Sequence, residues 1–255
     1  MPKRSSGTLV ENIKTVVYAG LIAIGIRTIA FEPFNIPSGS MIPTLLIGDY
    51  LFVSKYSYGY SKYSMPFSPN LFSGRIFASL PQRGDVAVFK VPRDNATDYI
   101  KRIVGLPGDR IQMKAGQLYI NGEPAPRRLL GDYIAEEVTL RVQVRRFAET
   151  IPNTTSGTTQ GPPRVHEIVK QTDSGGLNDT QEFRVPADHF FAMGDNRDNS
   201  SDSRDSTGGV GFIPLENLVG RAEFIFFSVD AKYPIWQVWN WPSQIRWSRL
   251  FSGIT

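Results

Sequence analysis

The chain has no cysteine, only two histidines (His166 and His189) and, beyond Phe31, no long apolar run. Without thiols there is no cysteine nucleophile, no thiolate metal site and no disulfide staple, and the compartment is left open. Two histidines exclude a His-rich metal centre. Excess positive charge is also scarce. The 28 Lys and Arg against 24 Asp and Glu, a formal +4, are too mild a balance for a surface that tracks phosphates, so nucleic acid is not the expected partner. Eighteen prolines argue against a long helical bundle. What is present is an ordinary folding composition, 41% hydrophobic over 255 residues, enough for one substantial core and a small satellite.

One segment is apolar enough for a bilayer. Residues 15–31 carry a single charge, Arg27; as a helix they span roughly 26 Å, slightly short of a hydrocarbon core of about 30 Å. Arg27 lies near the far end, where it can snorkel to the interface. No small-x-small cleavage site follows the run, so an uncleaved anchor is expected over a signal peptide, with a buried amphipathic helix as the competing reading. Lys3, Arg4 and Lys14 precede the span and place the N-terminus in the cytoplasm. The expected layout is a cytoplasmic tail at 1–14, an anchor at 15–31 and an extracytoplasmic domain at 32–255.

That domain reads as mostly β. Strand-like segments at 50–53, 85–90, 99–104, 117–120, 190–193 and 223–229 are separated by turn signals such as Pro107-Gly108 and Asn121-Gly122, which predict hairpins around 110–125. Residues 150–164, rich in Thr, Gly and Pro, read as an exposed loop. All four tryptophans fall within 236–247, close to Tyr233 and Ile235. They form either a C-terminal core flap or an aromatic surface at headgroup level.

Three stretches hold candidate chemistry. Ser38 and Ser40 flank Gly39 shortly beyond the span, in what could be a plain hydrophilic loop. Lys101 sits in Tyr-Ile-Lys-Arg-Ile-Val, on the strand face of Tyr99 and Ile103, where it would be desolvated; the alternative is an edge-strand charge beside Arg102. The Asp-rich 194–204 loop lacks the Gly and Glu positions of a calcium loop. His166 reads as exposed and His189 as a strand-end residue, and no Gly-x-Ser-x-Gly elbow is present. A serine here would have to be deprotonated by lysine, whose pKa must fall from about 10.4 by some three units, about 4 kcal/mol, which burial can supply.

Taken together, Pro37-Ser-Gly-Ser-Met-x-Pro-Thr-Leu45, Arg83-Gly-Asp-Val-x-Val-Phe89, Lys101-Arg-x-Val-Gly-Leu-Pro-Gly-Asp109 and Gly194-Asp-Asn-Arg-Asp-Asn-Ser-x-Asp-Ser-Arg204 resemble the ordered motif blocks of bacterial type I signal peptidases. The resemblance implies a mostly β, membrane-anchored catalytic domain with one N-terminal transmembrane helix and an inserted smaller β subdomain at about 110–186. It implies a serine endopeptidase of the bacterial inner membrane, cleaving signal peptides from exported preproteins on the periplasmic side after small residues of the Ala-x-Ala type, without cofactor or metal.

By motif position, Ser40 resembles the nucleophile and Lys101 the general base. Ser200 would orient the lysine, and Ser38 would complete the oxyanion hole. Asp195, Arg197, Asp202, Arg204 and Arg102 match a structural ion-pair network, and Phe34, Ile36, Met41, Leu45, Tyr99 and Ile100 match the walls of shallow substrate pockets. The signal peptide and the lipid bilayer are the implied partners. Stretches 55–82 and 110–186 match only as variable insertions. Two rivals remain at this point: a self-cleaving Ser/Lys repressor, and a catalytically silent membrane-anchored β module.

Overall fold

The computed structural model describes residues 6–65, 68–70, 72–136, 141–152, 154–155, 158–159, 162–230 and 237–255. Its first element is α1 (Ser6–Ile29), of 24 residues or about 36 Å. Within it, Val10–Ile29 has a mean hydropathy of 1.3 and none of it is buried, which makes α1 the one helix among the described residues that is long and apolar enough to cross a membrane. Val16 is 71% exposed and Ile22 63%, so the buried amphipathic alternative fails. The expected bounds also shift. The helix starts at Ser6, inside the expected tail, and stops at Ile29, because the residues leading into Pro33 favour extended backbone. Phe31 opens a strand instead of closing the span. Lys3 and Arg4 lie outside the described residues.

The strands follow in chain order: β1 (Phe31–Asn35), β2 (Asp49–Ser54), β3 (Val86–Lys90) and β4 (Asp98–Gly105). Next come β5 (Arg110–Lys114), β6 (Gln117–Ile120), β7 (Glu123–Pro124), β8 (Arg127–Glu136), β9 (Arg141–Ile151), β10 (Thr154–Thr155), β11 (Thr158–Thr159), β12 (Arg164–Lys170) and β13 (Phe183–Arg184). The chain returns through β14 (His189–Met193), β15 (Ile213–Pro214), β16 (Leu218–Ser228), the short α2 (Trp241–Gln244) and β17 (Ser252–Gly253). The protein is mostly β.

An eight-stranded sheet runs in the order β1-β2-β16-β3-β4-β14-β15, with β17 on β16. The stretch between β4 and β14 forms separate small sheets, β12-β9-β8 and β13-β5-β6-β7, with β10 paired to β11. The predicted hairpins are there: Ala115-Gly116 and Asn121-Gly122 turn the chain with positive φ at both residues. Residues 150–164 are shorter as a loop than expected, since β9 runs to Ile151 and β12 starts at Arg164.

Both faces of the main sheet are covered at β3. Val86 and Val88 join one cluster with Ile36, Met41, Leu45 and Leu51, while Ala87 and Phe89 join another with Ile103, Phe190 and Ile213. This two-sided burial explains the unbroken apolar run at 86–89. The tryptophan segment behaves otherwise. Trp239 is 72% exposed and Trp247 62%, so neither fills a core. Tyr233, Ile235 and Trp236 lie outside the described residues.

Candidate active site

The loop between β1 and β2 carries Ser38 and Ser40 and is pinned at both ends. Ile36 and Asp49 are joined by a backbone hydrogen bond of 2.9 Å, and Gly48 N donates to Ile36 O at 3.0 Å. Beyond a one-turn 3-10 helix, Gly39–Met41, the side chains of Met41, Ile42 and Leu45 are sunk to 1% exposure or less. Buried anchors on both sides hold the serine loop in one conformation. Ser40 is half-buried and Ser38 exposed.

Lys101 reaches this loop from β4, a central strand between β3 and β14, not an edge. The edge-strand reading of Lys101 and Arg102 is therefore corrected: they are 4% and 1% exposed. Lys101 Nζ donates to Ser40 Oγ at 2.5 Å and lies 5.3 Å above the Tyr99 ring, consistent with the shared face read from the sequence. Burial lowers its pKa to about 8, against the opposing pull of Asp202 and Asp195.

The segment after β14 closes the site from beneath. Gly194 lies so near that a Cβ there would fall 2.3 Å from Ser200 Oγ and 2.5 Å from Ser40 O. Ser200 is 8% exposed and its hydroxyl lies beside Asp202, helping to hold that carboxyl low, but it meets hydrogen-bond geometry with no group among the described residues. Asn196, to which the motif reading gave no role, donates its backbone N–H to Ser40 O and its side-chain amide to Gly39 O, both at 3.1 Å. It ties the serine loop to the 194–204 segment. Its place beside Asp195 in the quoted motif was the available signal.

Three buried ion pairs surround the site. Arg102 binds Asp195 through two contacts of 2.8 Å, and Asp195 also accepts from Thr44 Oγ1 at 2.5 Å. Arg204 pairs with Asp202 at 2.8 Å; burial works to raise the Asp202 pKa, but the Arg204 charge and a hydrogen bond from Gly194 N hold it low. Arg197 is clasped by both carboxylate oxygens of Glu149 on β9. His166, expected to be exposed, is 4% exposed: pairing of β12 with β9 sets it opposite Glu149, 3.5 Å from that carboxylate and 3.9 Å from Asp195. Burial and the charges of Arg102 and Arg197 push its pKa well below the usual histidine value. His189 stands at the start of β14, as read.

A cleft of about 890 Å³ runs from Arg27 and Glu32 along β1 to Ser38, Ser40 and Lys101, with β4 opposite. Phe34, Ile36, Tyr99 and Ile100 line it. Met41 and Leu45 do not; both are buried in the core cluster against which Ile100 packs.

Residues 9–227 match the family described as signal peptidase, peptidase S26. The chain belongs to that family. Signal peptidase I of Rickettsia prowazekii (strain Madrid E) is 38% identical over 98% of this chain and 96% of its own length. The Rickettsia conorii (strain ATCC VR-613 / Malish 7) protein of the same name is 40% identical over 91% and 88%. A crystal structure of a signal peptidase I from Enterococcus faecalis V583 shares 27% identity, covering 56% of this chain and 97% of that one, at a TM-score of 0.32. The activity this family membership supports is removal of signal peptides by a serine protease. In this signal peptidase α1 fits a single-pass membrane anchor.

Proposed function

We infer that the signal peptidase cleaves preproteins through a Ser40/Lys101 dyad. The observation that carries this is the 2.5 Å contact between Lys101 Nζ and Ser40 Oγ, in a lysine whose pKa is brought down to about 8. Neutral Lys101 takes the Ser40 proton as Oγ attacks the scissile carbonyl carbon. The oxyanion of the tetrahedral intermediate is met by the Ser38 hydroxyl and the Ser40 backbone N–H. On collapse the C–N bond breaks, the leaving amine receives the proton from Lys101, and an acyl-enzyme remains. Water, deprotonated by Lys101, then attacks the ester and frees Ser40. Asp202 and Asp195 act on the lysine through their charge, and the orientation of its amine is assigned to Ser200.

The substrate lies extended in the cleft and pairs with the backbone before Ser38 and before Lys101, β1 being the end strand of the main sheet among the described residues. Shallow walls of Phe34, Ile36, Tyr99 and Ile100 favour small side chains one and three residues before the cut. Lys14 and the basic residues ahead of it orient the helix with its N-terminus in the cytoplasm, which puts the cleft on the periplasmic side of the inner membrane. The inserted stretch at 110–186 buttresses the site as a subdomain of the catalytic unit. The exposed Trp239 and Trp247 face the lipid. Single-turnover cleavage of an Ala-x-Ala preprotein by wild type and by Ser40→Ala tests the reading: the variant should form no acyl-enzyme, and cleavage at the wild-type rate would overturn it.

A further inference from the structure

Residues 55–60 and 76–80, between β2 and β3, line no part of the cleft, yet they close on the exit of α1. The last carbonyls of a helix lack intrahelical donors. Here Tyr60 Oη donates to Ile29 O at 2.7 Å and Lys55 N donates to Ala30 O at 3.0 Å. Lys55 is 1% exposed; its Nζ pairs with Glu32 at 2.9 Å, and Glu32 pairs with Arg27 of the helix at 2.7 Å. Helix, β1 and segment are joined through one charge cluster. The backbone of Tyr60 is bonded both ways to Ile76, at 2.9 and 2.8 Å, and Gly59 sits so close that a Cβ would fall 2.3 Å from Phe77 O. Ile76 and Phe77 are thereby fastened beside the end of α1.

What is fastened there is apolar and uncovered: Phe77 is 84% exposed, Leu80 64%, Tyr56 53% and Ile76 46%. A bare apolar cluster joined to the end of a bare apolar helix continues the surface that a bilayer covers. We propose that residues 55–60 and 76–80 form a collar at the mouth of the anchor, which rests Phe77 and its neighbours at headgroup depth, clamps α1 to β1 and so fixes the height of Ser40 above the lipid. Resting on the signal-peptidase reading above, a rigidly mounted Ser40 selects substrates by the number of residues between their apolar segment and the cut.

Because the chain has no cysteine, Phe77→Cys gives the full-length protein a single thiol for a nitrobenzoxadiazole label. In phosphatidylcholine/phosphatidylglycerol vesicles its emission should be blue-shifted and quenched by lipids brominated on the acyl chain, whereas a label at Glu123→Cys, on the exposed β7, should be neither. Equal behaviour at the two positions overturns the lipid contact. For the clamp, wild type and the Tyr60→Phe/Phe77→Ser pair are compared on preproteins with graded spacers between apolar segment and cleavage site. The variant should lose about tenfold at the wild-type optimum and show a broadened spacer profile, while cleaving a short soluble peptide normally. Superimposable profiles overturn the clamp. Should Tyr60→Phe lower the melting temperature, Phe77→Ser alone, at a solvent-exposed ring, gives the same comparison. Failure of wild type to cleave either substrate would sink the peptidase reading instead, with the label result still deciding the lipid contact.

Discussion

Lys101 titrates near 8 because burial strips the water that would stabilise its charge, so at pH 7 about one molecule in ten carries the neutral amine. Turnover should therefore climb about tenfold per pH unit up to about pH 8 and then level off. Lys101→Arg should be inactive across pH 7 to 10, since guanidinium keeps its proton; turnover near wild type would reject the lysine as base. The same depression lowers stability. Between pH 8 and 10.5 the unfolded chain binds a proton that the folded one refuses, so folding becomes more favourable as pH rises through that window. Lys101→Met, which removes the titration, should raise stability at pH 7 by about 1–3 kcal/mol, with the gain shrinking towards pH 10. Urea unfolding at both pH values in detergent measures it, and a gain independent of pH would contradict the assignment. Ser38, exposed on the cleft wall, is a different case. Ser38→Ala should lower kcat about 10²–10³-fold with KM little changed, and a rise in KM alone would reduce Ser38 to a binding contact.

The serine loop and the 194–204 segment meet with no room to spare. Gly194→Ala would set a methyl 2.3 Å from Ser200 Oγ and 2.5 Å from Ser40 O, so the two segments must part. A drop in kcat of about 10²-fold with the far-ultraviolet circular dichroism unchanged is expected; full activity would mean the gap is not needed. Which elements could be read beforehand follows from how they are buried. Strands β3 and β4 have core on both faces and show as apolar runs, and β6 lies between two turns with glycine at positive φ. Strands β8, β9 and β12 were not legible. They alternate Arg, Glu and Gln with apolar residues, and several of the charges are satisfied far along the chain, Glu149 by Arg197 and Arg164 by Asp85. Ser40 and Lys101 were legible through the motif blocks and a lysine in an apolar strand. His166 was misread as exposed because its neighbours Glu149, Asp195, Arg102 and Arg197 come together only in the fold. The motif gives the residue types of Met41 and Leu45 but not the direction of their side chains, which the fold buries in the core.

Across the whole molecule, the β12-β9-β8 sheet is joined to the main sheet through buried charge. Arg197 and Glu149 are both at 0% exposure, with His166 packed against the pair and neither of its ring nitrogens hydrogen-bonded among the described residues. The groups that face His166 are Glu149 from β9, Arg102 from β4, and Asp195 and Arg197 from the segment after β14; the two arginines oppose its protonation. Glu149→Gln would leave Arg197 as an uncompensated buried cation, a loss of about 3–5 kcal/mol, whereas His166→Gln removes a neutral ring and should be milder. The two differ most clearly in pH dependence. Burial lowers the His166 pKa in the folded state, so below about pH 6.5 the unfolded chain takes up a proton that the native fold excludes, and stability falls as pH falls. In wild type that one site makes stability fall as pH drops below the ordinary histidine value, and in His166→Gln it contributes nothing. Urea midpoints for the two proteins at pH 7, 6 and 5 should therefore converge on acidification, the carboxylates common to both cancelling in the difference. Parallel lines over that range would mean that His166 takes up its proton without unfolding, by drawing Glu149 away from Arg197 or Asp195 away from Arg102, and acid would then reach the bed of Lys101 through the fold itself.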